Sequence, residues 1–133
     1  NNDIPTLAMK TLAWDVGVGG VTIQTQDLVE GVENFYLRFG ADNDSDGEVD
    51  SYTSRTTNLS TVSWDRVVSM ETYILVRSVT TDPRYVDDKT YNLGDFTITP
   101  SANPTQYPQD ARRLMMQSNI SLRNPKLIIR GGA

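Results

Sequence analysis

Residues 31–50, GVENFYLRFGADNDSDGEVD, join two patterns that decide the fold. In the first half, the apolar residues Phe35, Leu37 and Phe39 alternate with the more polar residues Asn34, Tyr36 and Arg38. A period of two residues is typical of a β-strand with two different faces. In the second half an acid stands at every second position from Asp42 to Asp50, with Gly47 inside the run. The stretch therefore predicts a strand that runs directly into an acidic loop.

The composition excludes several classes of function. The chain has 133 residues, which predicts a single domain over residues 1–133. Its 12 basic and 17 acidic residues give a net charge of −5, and no basic run is present, so we expect neither nucleic-acid binding nor a basic membrane-surface helix. With no histidine and no cysteine, Ser-His and Cys-His arrangements are excluded. Because no compact acid–base motif remains, we expect the chain not to be an enzyme.

Further segments predict partner strands for the first. Residues 67–79 are rich in β-branched and aromatic residues and contain neither Gly nor Pro, which indicates a central strand. Strands are also predicted at 32–39, 91–99 and 112–123, with short strands at 4–12 and around Val21 and Ile23. A glycine-rich hairpin turn at 15–20 separates the two short strands, and 51–63, 80–88 and 100–108 are predicted to be mainly loops. In 112–123 we expect Arg113 and Gln117 to lie on a polar outer face.

These segments predict a mainly antiparallel β-sheet. None of the predicted elements forms a second layer that would pack on this sheet. An antiparallel sheet buries one face and needs another layer against it. The sequence leaves two alternatives, a second sheet or a helix upstream of Asn1. No apolar run in the 133 residues is long enough to span a bilayer, and the chain does not begin with Met, so we expect it to be truncated at its N-terminus.

The acidic loop is the candidate site. Asp42-x-Asp44-x-Asp46-Gly47 matches the first half of an EF-hand calcium loop, in which alternate carboxylates surround a hard cation. Glu48 would offer its backbone carbonyl, and Asp50 would bind directly or through water. Thr53 stands where the pattern has its bidentate Glu. Mutual repulsion among the five acids favours a counter-ion. We predict a weak calcium site formed by Asp42, Asp44, Asp46, Glu48 and Asp50; the alternative is a solvated acidic turn.

Two other groups have weaker chemical patterns. Glu30 and Glu33 could form a carboxylate pair for glycoside hydrolysis, but three residues apart on one strand they would face opposite sides. We therefore expect both to be solvent-exposed charges. An aromatic set could form a sugar-binding platform, although we favour packing in the core and at its rim. That set comprises Trp14, Tyr36, Tyr52, Trp64 and Tyr73.

The order of several motifs resembles the PilW family of type IV pilus minor pilins. The clearest are LVEGVENFYLRFGAD at 28–42 and DSDGEVD at 44–50. Others are WDRVVSM at 64–70, LVRS at 75–78, YNLG at 91–94, RRLM at 112–115 and ISLRN at 120–124. Together they cover most of residues 28–124. The general secretion pseudopilin J family shares the first strand and is the nearest alternative.

The resemblance implies an α+β pilin-like fold in which an antiparallel sheet packs on an N-terminal hydrophobic helix that this chain lacks. It implies a structural minor pilin that works with other minor pilins and the major pilin to initiate pilus assembly, with a place at the pilus tip. The protein would lie on the periplasmic face of the inner membrane before assembly and in the cell-surface pilus afterwards. The alternative function is a calcium-stabilised carbohydrate- or surface-binding β-module, that is, an adhesin domain.

Overall fold

A computed structural model describes residues 4–55 and 59–122, and these ranges contain eight β-strands and no α-helix. The strands are β1 (Thr6–Asp15), β2 (Gly20–Glu30), β3 (Val32–Ala41), β4 (Ser51–Ser54), β5 (Val67–Arg77), β6 (Tyr91–Leu93), β7 (Phe96–Ile98) and β8 (Arg113–Ser121). Short 3₁₀ turns lie at Leu59–Thr61, Trp64–Arg66 and Pro100–Ala102. The predicted mainly antiparallel β architecture is confirmed. No helix of the described segments has the length and apolarity needed to cross a membrane.

The central sheet has four strands in the order β4-β3-β5-β8, and each neighbouring pair is antiparallel. β5 lies between β3 and β8, which confirms the central strand predicted from its composition. Ile74 of β5 lies opposite Phe35 of β3 on one side and Met116 of β8 on the other. This register defines two faces, one containing Phe35 and Ile74 and the other containing Tyr36 and Tyr73.

The chain itself covers the Tyr36 face. Tyr36, Tyr73 and Leu75 of this face are buried together with side chains of the segment between β5 and β8. The buried contributions from that segment are Tyr91, Leu93, Ile98 and Tyr107. Residues predicted as loops at 80–88 and 100–108 thus belong to a covering layer around the small β6–β7 hairpin. The short apolar sequence at 127–129 lies outside the described residues.

The prediction of one strand over 91–99 was wrong. β6 and β7 pair with each other, with Asn92 opposite Thr97, and the chain reverses at Gly94. Gly94 has a φ of 73°, in the left-handed region that glycine adopts without steric cost. Apolar residues alternate within each half, at 91 and 93 and at 96 and 98, and their phase shifts by one residue where the chain turns.

The hairpin at the start of the chain is longer than predicted. β1 and β2 pair over their whole lengths, from Thr6 opposite Glu30 to Asp15 opposite Gly20, with an irregularity between Leu7 and Ala8. Gly31, with a φ of 86°, separates β2 from β3. A Cβ at Gly31 would lie 2.8 Å from the Arg77 carbonyl oxygen, so the close approach of two strands requires glycine there.

The faces of β8 are the reverse of those predicted. Arg113 is buried, whereas Leu114 and Met116 are 61% and 46% exposed. Arg113 lies inside because two carboxylates are there. Its Nε and Nη2 donate to the two Glu33 oxygens at 2.6 and 2.9 Å, and its Nη1 donates to Asp87 Oδ2 at 2.8 Å. The expectation that Glu33 is a solvent-exposed charge was therefore also wrong.

This buried ion cluster, Glu33, Asp87 and Arg113, joins β3 and β8 to the covering layer. The three side chains are 0–4% exposed, and Tyr91 donates its hydroxyl hydrogen to the Asp87 carboxylate at 3.1 Å. Burial and this hydrogen bond raise the pKa of Tyr91 well above its ordinary value. Burial lowers the pKa of Arg113, but the hydrogen bonds to Glu33 and Asp87 outweigh it, so that pKa is raised.

A second ion pair, with a half-buried Arg38 and a buried Glu71, lies further along the same face. Arg38 Nε donates to Glu71 Oε2, and the Tyr73 hydroxyl donates to the same oxygen at 2.7 Å. Burial raises the pKa of Glu71, but the hydrogen bonds from Arg38 and Tyr73 outweigh it, so the pKa falls below its ordinary value of 4.5. The Arg38 guanidinium carbon also lies 4.0 Å from the centroid of the Tyr52 ring.

We expect Arg113→Met to destabilise the domain by about 3–5 kcal/mol, because Asp87 would stay buried without its cation and Glu33 would keep only its 3.7 Å ion pair with Arg77. The free energy of unfolding from urea titration measures the loss. Arg112→Met is the matched control, since the neighbouring Arg112 forms a solvent-exposed ion pair with Asp82 and its removal costs far less. Equal losses for the two variants would contradict the role of the buried ion cluster.

We expect the stability difference between the wild type and Glu71→Gln to shrink as the pH falls. The pKa of Glu71 is depressed in the folded state, so its contribution is fully present above the ordinary pKa and is lost as the pH falls through the folded value. Urea titrations from neutral pH down to about pH 3 test this, across the ordinary carboxyl range. Unfolding free energies that stay parallel across that range would refute the assignment.

Candidate functional site

The acidic loop joins β3 to β4 as the end of a hairpin. Its first residue, Asp42, is 5% exposed, and its amide donates to the Arg66 carbonyl at 3.0 Å. Its last residue, Asp50, donates its amide to the Ala41 carbonyl at 2.9 Å. These two bonds close the loop at the edge of the sheet. Between them, residues 43–48 are exposed, whereas Val49 is half-buried.

Three of the five predicted ligands come together in this loop. Asp42, Asp44 and Asp50 each offer a carboxylate oxygen, and these oxygens lie within 4.8 Å of one another. Asp46 and Glu48 are not in this group; the Asp46 carboxylate instead accepts the Glu48 amide at 2.8 Å. Clustered carboxylate oxygens are the ligands that hard divalent cations prefer. The cluster of Asp42, Asp44 and Asp50 could therefore bind a metal ion.

Backbone amides hold the carboxylates of this loop in place. Asp42 accepts the amides of Ser45 at 2.5 Å and Gly47 at 3.0 Å, and Asp50 accepts the amide of Asn43 at 2.6 Å. Ser45 and Gly47 have φ values of 70° and 98°, so the chain turns sharply between the ligands. Each carboxylate has about four lone-pair sites, so these bonds leave capacity for a cation.

The other predicted groups do not form sites. Glu30 is exposed on β2, whereas Glu33 is buried against Arg113, so they are not a carboxylate pair. Tyr36 and Tyr73 belong to the core, as favoured from the sequence. Trp64 packs edge-on against Phe39, with ring centroids 5.1 Å apart, and remains 56% exposed.

One large surface was not recognised from the sequence. The face of the central sheet that carries Phe35 and Ile74 is apolar and largely exposed, with Trp64 packed against Phe39 at one end; we name it the open face. Its apolar members on β3, β5 and β8 include Phe35, Leu37, Phe39, Met70, Ile74, Leu114, Met116 and Ile120. Phe35, Leu114, Met116 and Ile120 are 42–61% exposed. The sequence signal for the open face was the alternation of apolar residues in β3, β5 and β8, which places apolar side chains of all three strands on one side.

A second apolar surface lies at the end of the β1–β2 hairpin. Leu12 is opposite Ile23 and Trp14 is opposite Val21, so the four side chains share one side of the hairpin. All four are 62–75% exposed. We name these four residues the hairpin tip. Large exposed apolar groups that cluster in this way mark interaction surfaces.

Comparison with known proteins gives one match. Residues 1–124 match the family model described as Type IV Pilus-assembly protein W, or PilW. No curated protein and no solved structure matched the chain. The match includes the hairpin, the central sheet, the acidic loop and the covering layer. The chain therefore belongs to the PilW family of type IV pilus-assembly proteins, a structural rather than a catalytic family.

Proposed function

We propose that this chain is part of a minor pilin that helps to initiate type IV pilus assembly at the pilus tip. The observation that carries the proposal is the open face, an exposed apolar sheet surface in a member of a pilus-assembly family. Its partners would be other minor pilins and the major pilin. It would lie on the periplasmic face of the inner membrane before assembly and in the surface pilus afterwards.

The open face has the dimensions and chemistry to receive a helix. Its apolar side chains lie on β3, β5 and β8, and three neighbouring strands span about 10 Å between the outer two. A helix with its side chains is about 10–12 Å wide. We propose that an amphipathic helix of the full-length protein packs along β5, contacting Ile74 at the centre and Phe35 and Met116 on either side.

The hairpin tip is suited to contact a neighbouring pilin. A two-stranded hairpin is marginally stable by itself in water, and its apolar side chains Leu12, Trp14, Val21 and Ile23 are exposed. Burying them against another subunit would stabilise both the hairpin and the assembly. This gives the domain two separate apolar surfaces, one for a helix and one for a partner.

We expect deletion of the gene to reduce the number of surface pili, and full-length wild-type protein to restore them. A Phe35→Glu/Met116→Glu double variant should fail to restore piliation, because two charges on the open face would have to be buried under the helix. Counts of pili by electron microscopy provide the measurement. Copurification of other minor pilins with the full-length protein tests the proposed partners.

Val86→Glu is the control for these variants. Val86 is also apolar and 65% exposed, but it lies in the covering layer on the other side of the sheet. It should support normal piliation. Unchanged piliation in the deletion strain, together with no copurifying pilin, would argue against the proposed function.

We also propose that the acidic loop binds a metal ion and that this ion is calcium. The support is the cluster of Asp42, Asp44 and Asp50 and its placement by backbone amides. Calcium takes six to eight oxygen ligands in flexible geometry, so loop carbonyls and water would complete the shell. Without a bidentate Glu we expect a dissociation constant on the order of 10⁻⁴ to 10⁻³ M, as in extracellular calcium modules.

We expect calcium to raise the melting temperature and chelator to lower it. At a hundred times the dissociation constant, calcium would stabilise the folded state by about 2.7 kcal/mol. Asp44→Ala should abolish the response, because it removes a ligand. It should disturb the loop little, since the Asp44 carboxylate accepts a single loop hydrogen bond, from the Asp46 amide at 3.2 Å. Differential scanning fluorimetry with calcium, magnesium and chelator measures these shifts.

Asp88→Ala removes an exposed acid outside the loop and should keep the full calcium response. Asp46→Ala tests the loop itself, because Asp46 lies outside the carboxylate cluster and its loss should weaken the response much less than Asp44→Ala. A melting temperature that changes with neither calcium nor chelator would mean that the loop is an acidic turn that binds no ion.

A further inference from the structure

A polar cleft of about 510 Å³ lies beside β3, between the covering layer and the end of β4. Its lining includes Asn34, Arg55, Phe96, Asn103 and Gln106. The volume lies within the range of small-molecule sites. Among the described residues that line it, Arg55 is the sole charged group. The cleft thus has one cation and several side-chain amides and hydroxyls.

Arg55 is positioned to bind an anion. Its guanidinium carbon lies 5.4 Å from the Phe96 ring centroid and 5.6 Å from that of Tyr36, so the two rings support it at the rim. Arg55 is exposed, and the ion pairs among the described residues do not include it. Asp95 is near in the fold, but it accepts hydrogen bonds from Tyr36 and Ser54 and does not line the cleft. A planar carboxylate is the group that a guanidinium binds best, through two parallel hydrogen bonds.

The amides in the cleft have unused hydrogen-bonding capacity. The Oδ1 atom of Asn34 is buried and has no hydrogen-bond partner within the described residues. Asn103 donates its Nδ2 hydrogen to Gln106 Oε1 at 2.9 Å, which directs its own Oδ1 and the Gln106 Nε2 to other partners. Because Asn34 Oδ1 is enclosed by the fold, a ligand would contact the exposed Asn103 and Gln106 amides, which can pair with hydroxyl groups.

We propose that this cleft binds an acidic sugar, a hexuronate residue of a polysaccharide. The carboxylate of the sugar pairs with Arg55, and its hydroxyls bond to the exposed amides of Asn103 and Gln106. The half-buried Phe96 gives the sugar ring an apolar surface to pack on. Side-chain amides and hydroxyls favour a sugar over a peptide, since an extended peptide is bound mainly through backbone hydrogen bonds. This inference does not depend on the proposed role in pilus assembly.

The test is NMR titration of the isotopically labelled chain with galacturonate, using galactose as the uncharged counterpart. The side-chain NH₂ signals of Asn34, Asn103 and Gln106 report directly on the cleft and should shift with galacturonate but much less with galactose. We expect Arg55→Gln to weaken binding about tenfold or more through loss of the charge-assisted bonds. Arg84→Gln, which removes an exposed arginine that does not line the cleft, should leave binding unchanged.

A third variant, Gln106→Ala, tests the amide contact and should weaken binding of galacturonate with the Arg55 charge intact. Equal shifts with galactose would overturn the role of Arg55, and an equal loss in Arg84→Gln would show non-specific attraction to charge. If an acetylated dipeptide with a free carboxylate shifts the cleft signals and galacturonate does not, the site is one for peptide carboxylates and the proposal is wrong. The absence of any shift with millimolar galacturonate would also overturn it.

Discussion

Three charged side chains in the interior, Glu33, Asp87 and Arg113, set the arrangement of the sheet and its covering layer. Arg113 uses three of its nitrogen atoms, two on Glu33 and one on Asp87. A buried charge is tolerable only where its partners are in place. β8 can therefore occupy only the register and the face that bring Arg113 to Glu33 on β3. Asp87 then fixes the covering layer over the same end of the sheet, and Tyr91 completes the cluster at the start of β6.

The strands were predictable because alternation depends on local residues alone. β3, β5 and β8 appear in the sequence as period-two segments, and the structure places them side by side as neighbours. The side that faces inward was not predictable in the same way. Residues 113–121 alternate between a side with Arg113 and Gln117 and a side with Leu114 and Met116, and hydrophobicity assigns the second side to the core. The pairing of Arg113 with carboxylates 80 and 26 positions away reverses that assignment, and no local pattern contains this information.

In the acidic loop, too, one part of the arrangement was predictable from the sequence and another part was not. The spacing of Asp42, Asp44 and Asp50 predicted that their carboxylates meet, because a sharp turn at Gly47 brings alternate residues together. The path of the backbone through Ser45 decides which acids remain outside the cluster, and Asp46 uses its carboxylate on the Glu48 amide. The cleft beside β3 could not be predicted at all. Its amides come from β3 and from the segment after β7, so only the assembled fold brings Asn34 near Asn103 and Gln106.

The distribution of apolar residues between the two faces of the sheet also bears on the role of the domain. The covered face includes Arg38, Glu71 and Arg113, whose charges are held in ion pairs, whereas the open face is almost entirely apolar. In a domain that functions alone, the more apolar face is expected to be the buried one. Here the chain covers the face with charges through its own loops and leaves Phe35, Leu114 and Met116 exposed. Ion pairs need one fixed set of partners, which a single chain can supply, while an apolar surface can pack on an element that joins later. The open face is thus the side on which the proposed helix adds the remaining layer of the fold.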